Sequence, residues 1–117
     1  MRRDMDLVRL LLLKAEGHEK VKLKGFTKKQ QLYHQAKLIE AKLLAGHVYH
    51  NPDTWQVEDV MVWDVTWAGH DFLAAARSDS VWSKARAKLK SLGGDASLSL
   101  MKELLTSIAK RPPRLAP

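Results

Sequence analysis

The amino-acid sequence predicts a mixed α+β domain in which a long helix leads directly into a β-hairpin, with more helices after it. Three observations predict it. An apolar run of helical period follows the capping residue Thr27, and a valine-rich stretch from Val57 to Val65 follows the turn residues Asn51-Pro52-Asp53. The remaining chain then reads as three helices parted by polar and glycine-containing breaks. A chain of 117 residues suits one domain, expected over 1–110, followed by a flexible Pro-rich tail at 111–117. Pro112 and Pro113 stop the last helix there, because proline offers no amide hydrogen and clashes with the preceding turn.

The first helix is expected from about Asp4 to Glu16. Asp4 is a good N-cap, and Met5, Val8, Leu11 and Leu12 form an apolar stripe. Gly17 ends it. Val21-Lys22-Leu23-Lys24 alternates apolar and basic residues, the pattern of a short strand with one wet face. The long helix should span 28–45 and close at Gly46, with Leu32, Ala36, Ile39 and Leu43 as its core stripe. That leaves Gln30, His34 and Lys37 on the opposite side, with Lys29 at its approach.

The hairpin joins strands near 47–50 and 57–65 across Asn51-Pro52-Asp53. Strict alternation sends Met61, Trp63 and Val65 to one side and Val60 and Val62 to the other. Thr66 caps a helix from Trp67 to about Arg77, and Asp79 or Ser80 opens one that ends at Leu92 before Gly93-Gly94. Ser97 opens the last, Leu98 to about Lys110. Helix followed by hairpin is the core of a winged-helix-like domain, here with additional C-terminal helices and Asn51-Pro52-Asp53 as the wing tip.

Composition narrows the function classes. Hydrophobic residues make up 45% and charged residues 28%, with four tryptophans, which describes a packed globular chain. There is no cysteine, so disulfides, thiolate metal sites and cysteine nucleophiles are excluded. No apolar run approaches the length of a membrane span, and no secretory leader is legible. The net charge of +7 is uneven. Residues 1–50 hold eleven Lys/Arg against five Asp/Glu, residues 51–80 hold one against six, and residues 81–117 hold eight against two. Basicity concentrated in two segments suits a phosphate-bearing or acidic partner, or else solvated helix faces.

Catalytic chemistry finds little support. His47 and His50, three apart, could form a metal pair, but a helix end and a strand need not bring them together. His70 lacks a paired carboxylate or serine nucleophile. Its expected role is a hydrogen bond to a neighbouring backbone group, while Gly69 lets the helix pack closely on the hairpin. No enzyme activity, metal or cofactor is expected. Trp63, Trp67 and Trp82 read as packing residues. Trp55, beside the polar turn, suits stacking on a base or lodging in a partner's pocket, and equally folding back over the hairpin.

The strongest functional pattern lies on the long helix. Lysines neutralise phosphates, and glutamine and histidine read base edges. Lys28, Lys29, Gln30, His34 and Lys37 have those types at those spacings, and Trp55 joins them from the wing. A solvated lysine-rich face is the competing reading.

Five strings occurring together, "RRDMDLVR" at 2–9, "YHQAKLIEA" at 33–41, "TWAGHDFL" at 66–73, "DSVW" at 79–82 and "LGG" at 92–94, carry a resemblance. The chain resembles a phage and prophage family known as domain of unknown function 2513, over residues 2 to about 110. The resemblance implies a phage or prophage origin and a winged-helix-like fold, and it implies no activity. Lys42 stands where that family usually has a turn-forming glycine, so the helix is expected to extend to Gly46. Val65 replaces a usual leucine, and Ser78 stands where an acidic residue is common. Only Gly25-Phe26-Thr27 separates the short strand from the long helix, which omits the supporting helix of true helix-turn-helix proteins.

The expected function is a nucleic-acid-binding regulator in the bacterial host cytoplasm, contacting double-stranded DNA through the long helix and the wing. The alternative is an accessory module that binds a host protein such as an enzyme or defence complex. A homodimer through the C-terminal helix fits either.

Overall fold

The computed structural model describes residues 4–17, 21–92 and 98–109. It is mixed α+β, as the sequence predicts. The element order is α1 (Met5–Ala15), α2 (Lys28–Glu40), β1 (Leu44–His50), β2 (Val57–Val65), α3 (Trp67–Ala76), α4 (Asp79–Ser91) and α5 (Leu98–Ala109). The chain divides into two compact units, Met1–Leu73 and Ala74–Pro117.

In the first unit, Asp4 caps α1 by accepting the amides of Asp6 at 2.9 Å and Leu7 at 3.2 Å. Met5, Leu7, Val8, Leu11 and Leu12 are buried. Gly17, with φ of 109°, turns the chain beyond the helix. The strand expected at 21–24 is absent. Burial does alternate there, with Lys22 and Lys24 exposed, but the sheet consists of β1 and β2 alone among the described residues. Alternation without a neighbouring strand leaves no ladder to form.

Thr27 and Gln30 open α2 with a reciprocal capping box. The Gln30 amide donates to Thr27 Oγ1 at 3.0 Å, and the Thr27 amide donates to Gln30 Oε1 at 2.8 Å. The helix stops at Glu40, one turn short of expectation, because Lys42 takes the left-handed conformation that a glycine would, with φ of 65°. The amide of Lys42 donates to Ile39 O at 3.0 Å and that of Leu43 to Leu38 O at 2.9 Å, the paired bonds of a Schellman cap. Leu38 and Leu43, both buried, supply its apolar contact positions. A side chain in this conformation costs about 1–2 kcal/mol. Lys42→Gly should therefore stabilise the protein by about 1 kcal/mol in urea denaturation, and an unchanged midpoint would show that the side chain repays its strain elsewhere.

The core arc of α2 is rotated by roughly a quarter turn from the expected stripe. His34 and Leu38 are buried at 2% and 0%, whereas Ala36 and Ile39 are half-buried. Leu32 is buried as expected, and so is Leu43, though beyond the helix end. The helix packs against α1 on one side and both strands on another, so its covered arc is wider than one stripe.

The hairpin is antiparallel with two irregularities, between Ala45 and Gly46 and between Tyr49 and His50. Ala45 pairs Asp64 while Gly46 pairs Val62, so Trp63 bulges out of the ladder. This overturns the strict alternation expected of β2. Met61 and Trp63 are exposed, but Val65 is 4% exposed and joins the core. Gly46 lies inside β1 instead of ending a helix, and a Cβ there would strike the Met61 carbonyl oxygen. Thr66 caps α3: its Oγ1 donates to Lys42 O at 2.6 Å and accepts the Gly69 amide at 3.0 Å. Gly69 has the expected close-packing role, since a Cβ would meet the Leu43 carbonyl oxygen and Val65.

In the second unit, Ser78 caps α4, one residue before the expected start. Trp82, Ala85 and Leu89 are its buried stripe, and α4 packs on α5. The cations Lys84, Arg86, Lys88 and Lys90 are exposed. Residue Ser97, expected to open α5, and the tail at 111–117 lie outside the described residues.

Candidate nucleic-acid interface

The inner face of the hairpin and one flank of α2 leave an open groove of about 600 Å³ in the first unit. Its floor is apolar, built by Leu32, Ala36 and Ile39 from the helix and Val48 and Val57 from the strands. The stripe that the sequence assigns to the core therefore lies largely in the floor of this groove. Lys29, Tyr33, Lys37 and Glu40 stand along the helical side. Lys37 Nζ lies 5.7 Å from the centre of the Tyr33 ring and 3.3 Å from Glu40 Oε2, an exposed ion pair contributing under about 1 kcal/mol.

Trp55 stands at the hairpin end of the groove and is 72% exposed. The loop before it is tightly bonded. Asn51 Oδ1 accepts the amides of Asp53 at 2.8 Å and Thr54 at 3.1 Å, and the Trp55 amide donates to Asn51 O at 2.7 Å. Trp55 itself has φ of 60°, at a hairpin position that usually carries glycine. Its indole stacks on the His50 imidazole, ring centres 4.3 Å apart and planes within 1°. A large exposed aromatic thus occupies a conformation that disfavours any side chain, in contact with the groove.

Of the six expected contact residues, Lys29, Lys37 and Trp55 line this groove, and Lys28 is exposed in the first turn of the same helix. Gln30 is half-buried with its carbonyl engaged in the capping box. His34 is a correction. It does not lie on an outer polar face, for its ring is buried, Nδ1 bonds Gln30 O at 2.7 Å, and Nε2 accepts the Asp4 amide at 2.8 Å. An acceptor at Nε2 and a donor at Nδ1 describe the neutral imidazole, which ties α2 to the N-terminus of α1. Both nitrogens are thus committed within the fold.

The other histidines also find definite places. His47 pairs with Met61 on the outer face of the hairpin, while His50 pairs with Val57 and lines the groove, so the two diverge. Among the described residues no group of three or more His, Asp or Glu could hold a metal. His70 Nδ1 meets the Glu16 carboxylate at 3.2 Å, where a backbone partner was expected.

Of the three tryptophans expected to pack, one does. Trp82 is buried at 3%, but Trp63 is 65% exposed and Trp67 87% exposed. Trp63 shares the outer face with Met61, as alternation groups them, and the bulge brings Val65 alone of the three to the core side.

Helix followed by hairpin, with helices added after it, makes this an α+β protein of an arrangement compatible with a winged helix. The chain belongs to the family described as "Hypothetical protein (DUF2513)", whose model matches residues 2–95. It is similar to an uncharacterized protein of Haemophilus influenzae, with 29% identity over 115 residues, covering 92% of this chain and 95% of that one. No solved structure matches the chain. No helix among the described residues is long and apolar enough to cross a membrane.

Proposed function

We propose that this chain is a phage- or prophage-type regulator of the bacterial cytoplasm that binds DNA along the groove between α2 and the hairpin. The observation that carries the reading is the convergence of Lys29, Lys37, Tyr33 and Trp55 on one groove. Cations beside aromatic rings are what a strand of nucleic acid needs, since the lysines neutralise phosphates and the rings stack on bases. Lys28, exposed in the first turn of α2, adds a third cation close by. Two of the wing's four carboxylates face away from the groove, since Asp59 pairs with Tyr49 and Asp64 with Ala45, while Glu40 on the groove edge pairs with Lys37. Sequence discrimination by His34 forms no part of the reading, because its ring is buried.

Titration with single-stranded and duplex oligonucleotides at several salt concentrations tests it. Replacing Lys28, Lys29 and Lys37 with Gln should flatten the log–log salt dependence by about 0.9 per lost contact on duplex, or about 0.7 on a single strand. Trp55→Ala should weaken binding by about 1–3 kcal/mol without changing that slope. Failure of the wild-type protein to bind either oligonucleotide at micromolar concentration and low salt would end the DNA reading. The alternative, a protein-interaction module, draws support from the exposed outer face of the hairpin.

A further inference from the structure

The outer face of the hairpin has a chemistry opposite to the groove. Residues 51–65 contain four carboxylates and no lysine or arginine. On that face Tyr49, Met61 and Trp63 are 44%, 52% and 65% exposed. The ring of His47 packs edge-on against Tyr49, with centres 4.6 Å apart. A cluster of large apolar side chains on so small an element marks a contact surface.

The groove supplies the complement. Asp59 and Asp64 bracket Met61 and Trp63 on β2, and Lys29 and Lys37 bracket the apolar floor on α2, where the exposed Lys37–Glu40 pair has to open for Lys37 to meet a carboxylate of the second copy. The two carboxylates are five residues apart along an extended strand, roughly 16 Å. The two lysines are eight residues apart along a helix, about 12 Å at 1.5 Å per residue. Flexible lysine stems span the difference. A groove of about 600 Å³ has room for the side chains of both Met61 and Trp63.

We infer that the outer hairpin face of one copy docks into the α2–hairpin groove of a second copy, head to tail. Unlike patches meet, so the association is heterologous and builds a ring or a short chain. The buried patch is small, and charge complementarity steers it, so association is of micromolar strength and weakens with salt. The docking goes beyond the DNA reading and is independent of it, but it uses the same lysines, so an oligonucleotide held in the groove competes with it.

Sedimentation velocity of the full chain, without nucleic acid, decides the matter. The mean mass should rise with protein concentration through the micromolar range and fall as salt is added. Trp63→Lys should weaken association at least about tenfold, as should Lys29→Glu with Lys37→Glu, with helical circular dichroism unchanged. Combining Asp59→Lys, Asp64→Lys, Lys29→Glu and Lys37→Glu in one chain swaps both charges and should restore association. A wild-type protein that stays monomeric, association indifferent to Trp63→Lys, or failure of the charge swap to restore it would each overturn the inference. The oligonucleotide titration is scored separately, so a protein that self-associates but binds no DNA refutes only the DNA reading.

Discussion

Leu38→Ala should lower the unfolding free energy by about 2–5 kcal/mol, whereas Ile39→Ala, one residue along, should cost distinctly less. Leu38 is fully buried and closes the C-terminal cap of α2 together with Leu43. Removing its isopropyl group leaves a cavity between helix and cap that neither backbone can collapse to fill. Ile39 is half-buried and lines the open groove, where water already reaches one side of its side chain. Its truncation forfeits part of a transfer energy and creates no closed cavity. Urea denaturation of the two variants measures the difference directly. Equal costs would mean that the core arc of α2 is centred on Ile39, as helical periodicity alone suggests, and not on Leu38.

That pair also shows what was legible beforehand. The existence, order and type of all five helices and the hairpin follow from caps and periodicity, because Asp4, Thr27 and Thr66 announce helix starts by their own hydrogen bonds. The end of α2 was not legible. Lys42 does a glycine's work at φ 65°, and no rule of composition marks a lysine that will accept that strain. The error in the core face is a separate one: Leu32, Ala36 and Ile39 share one arc with or without Leu43, and Leu38 and His34 lie off that arc, covered because α2 packs against α1 as well as the hairpin.

The candidate site was legible in its residue types and less so in its geometry. Lysines and an exposed tryptophan keep their character wherever the chain folds, so Lys28, Lys29, Lys37 and Trp55 sit on the surface as expected. What periodicity could not supply was the groove, which depends on the inner strand face approaching α2 without covering Ala36 and Ile39. Tyr33, which stands beside Lys37 in that groove, enters the sequence argument only through the string at 33–41. A tyrosine one turn from Lys29 and Lys37 on the same flank of a helix was the available signal. The inward turn of Val65, away from the face of Met61 and Trp63, was hidden for a different reason, since a bulge is a property of pairing between two strands and leaves no mark in either one alone.

His34→Ala should destabilise the protein by more than about 2 kcal/mol, and this result separates a structural histidine from a surface one. The ring receives the Asp4 amide at Nε2 and bonds the Gln30 carbonyl through Nδ1, at 2.8 and 2.7 Å. Alanine leaves the half-buried Asp4 amide without its acceptor, and a stranded donor costs up to about 1–3 kcal/mol as its burial increases. The vacated ring volume adds a cavity term at the α1–α2 contact. Asp4 is also the N-cap of α1, so disturbing its backbone weakens the bonds to Asp6 and Leu7 as well. His34→Leu restores much of the volume but not the acceptor, and should recover only part of the loss. A histidine on an exposed polar face would behave otherwise, for surface substitutions usually stay within about 0.5 kcal/mol. The exposed His47 provides that comparison in the same molecule. If urea denaturation finds His34→Ala as mild as His47→Ala, the imidazole is not the tie between α1 and α2, and its place at a nucleic-acid surface would have to be considered again.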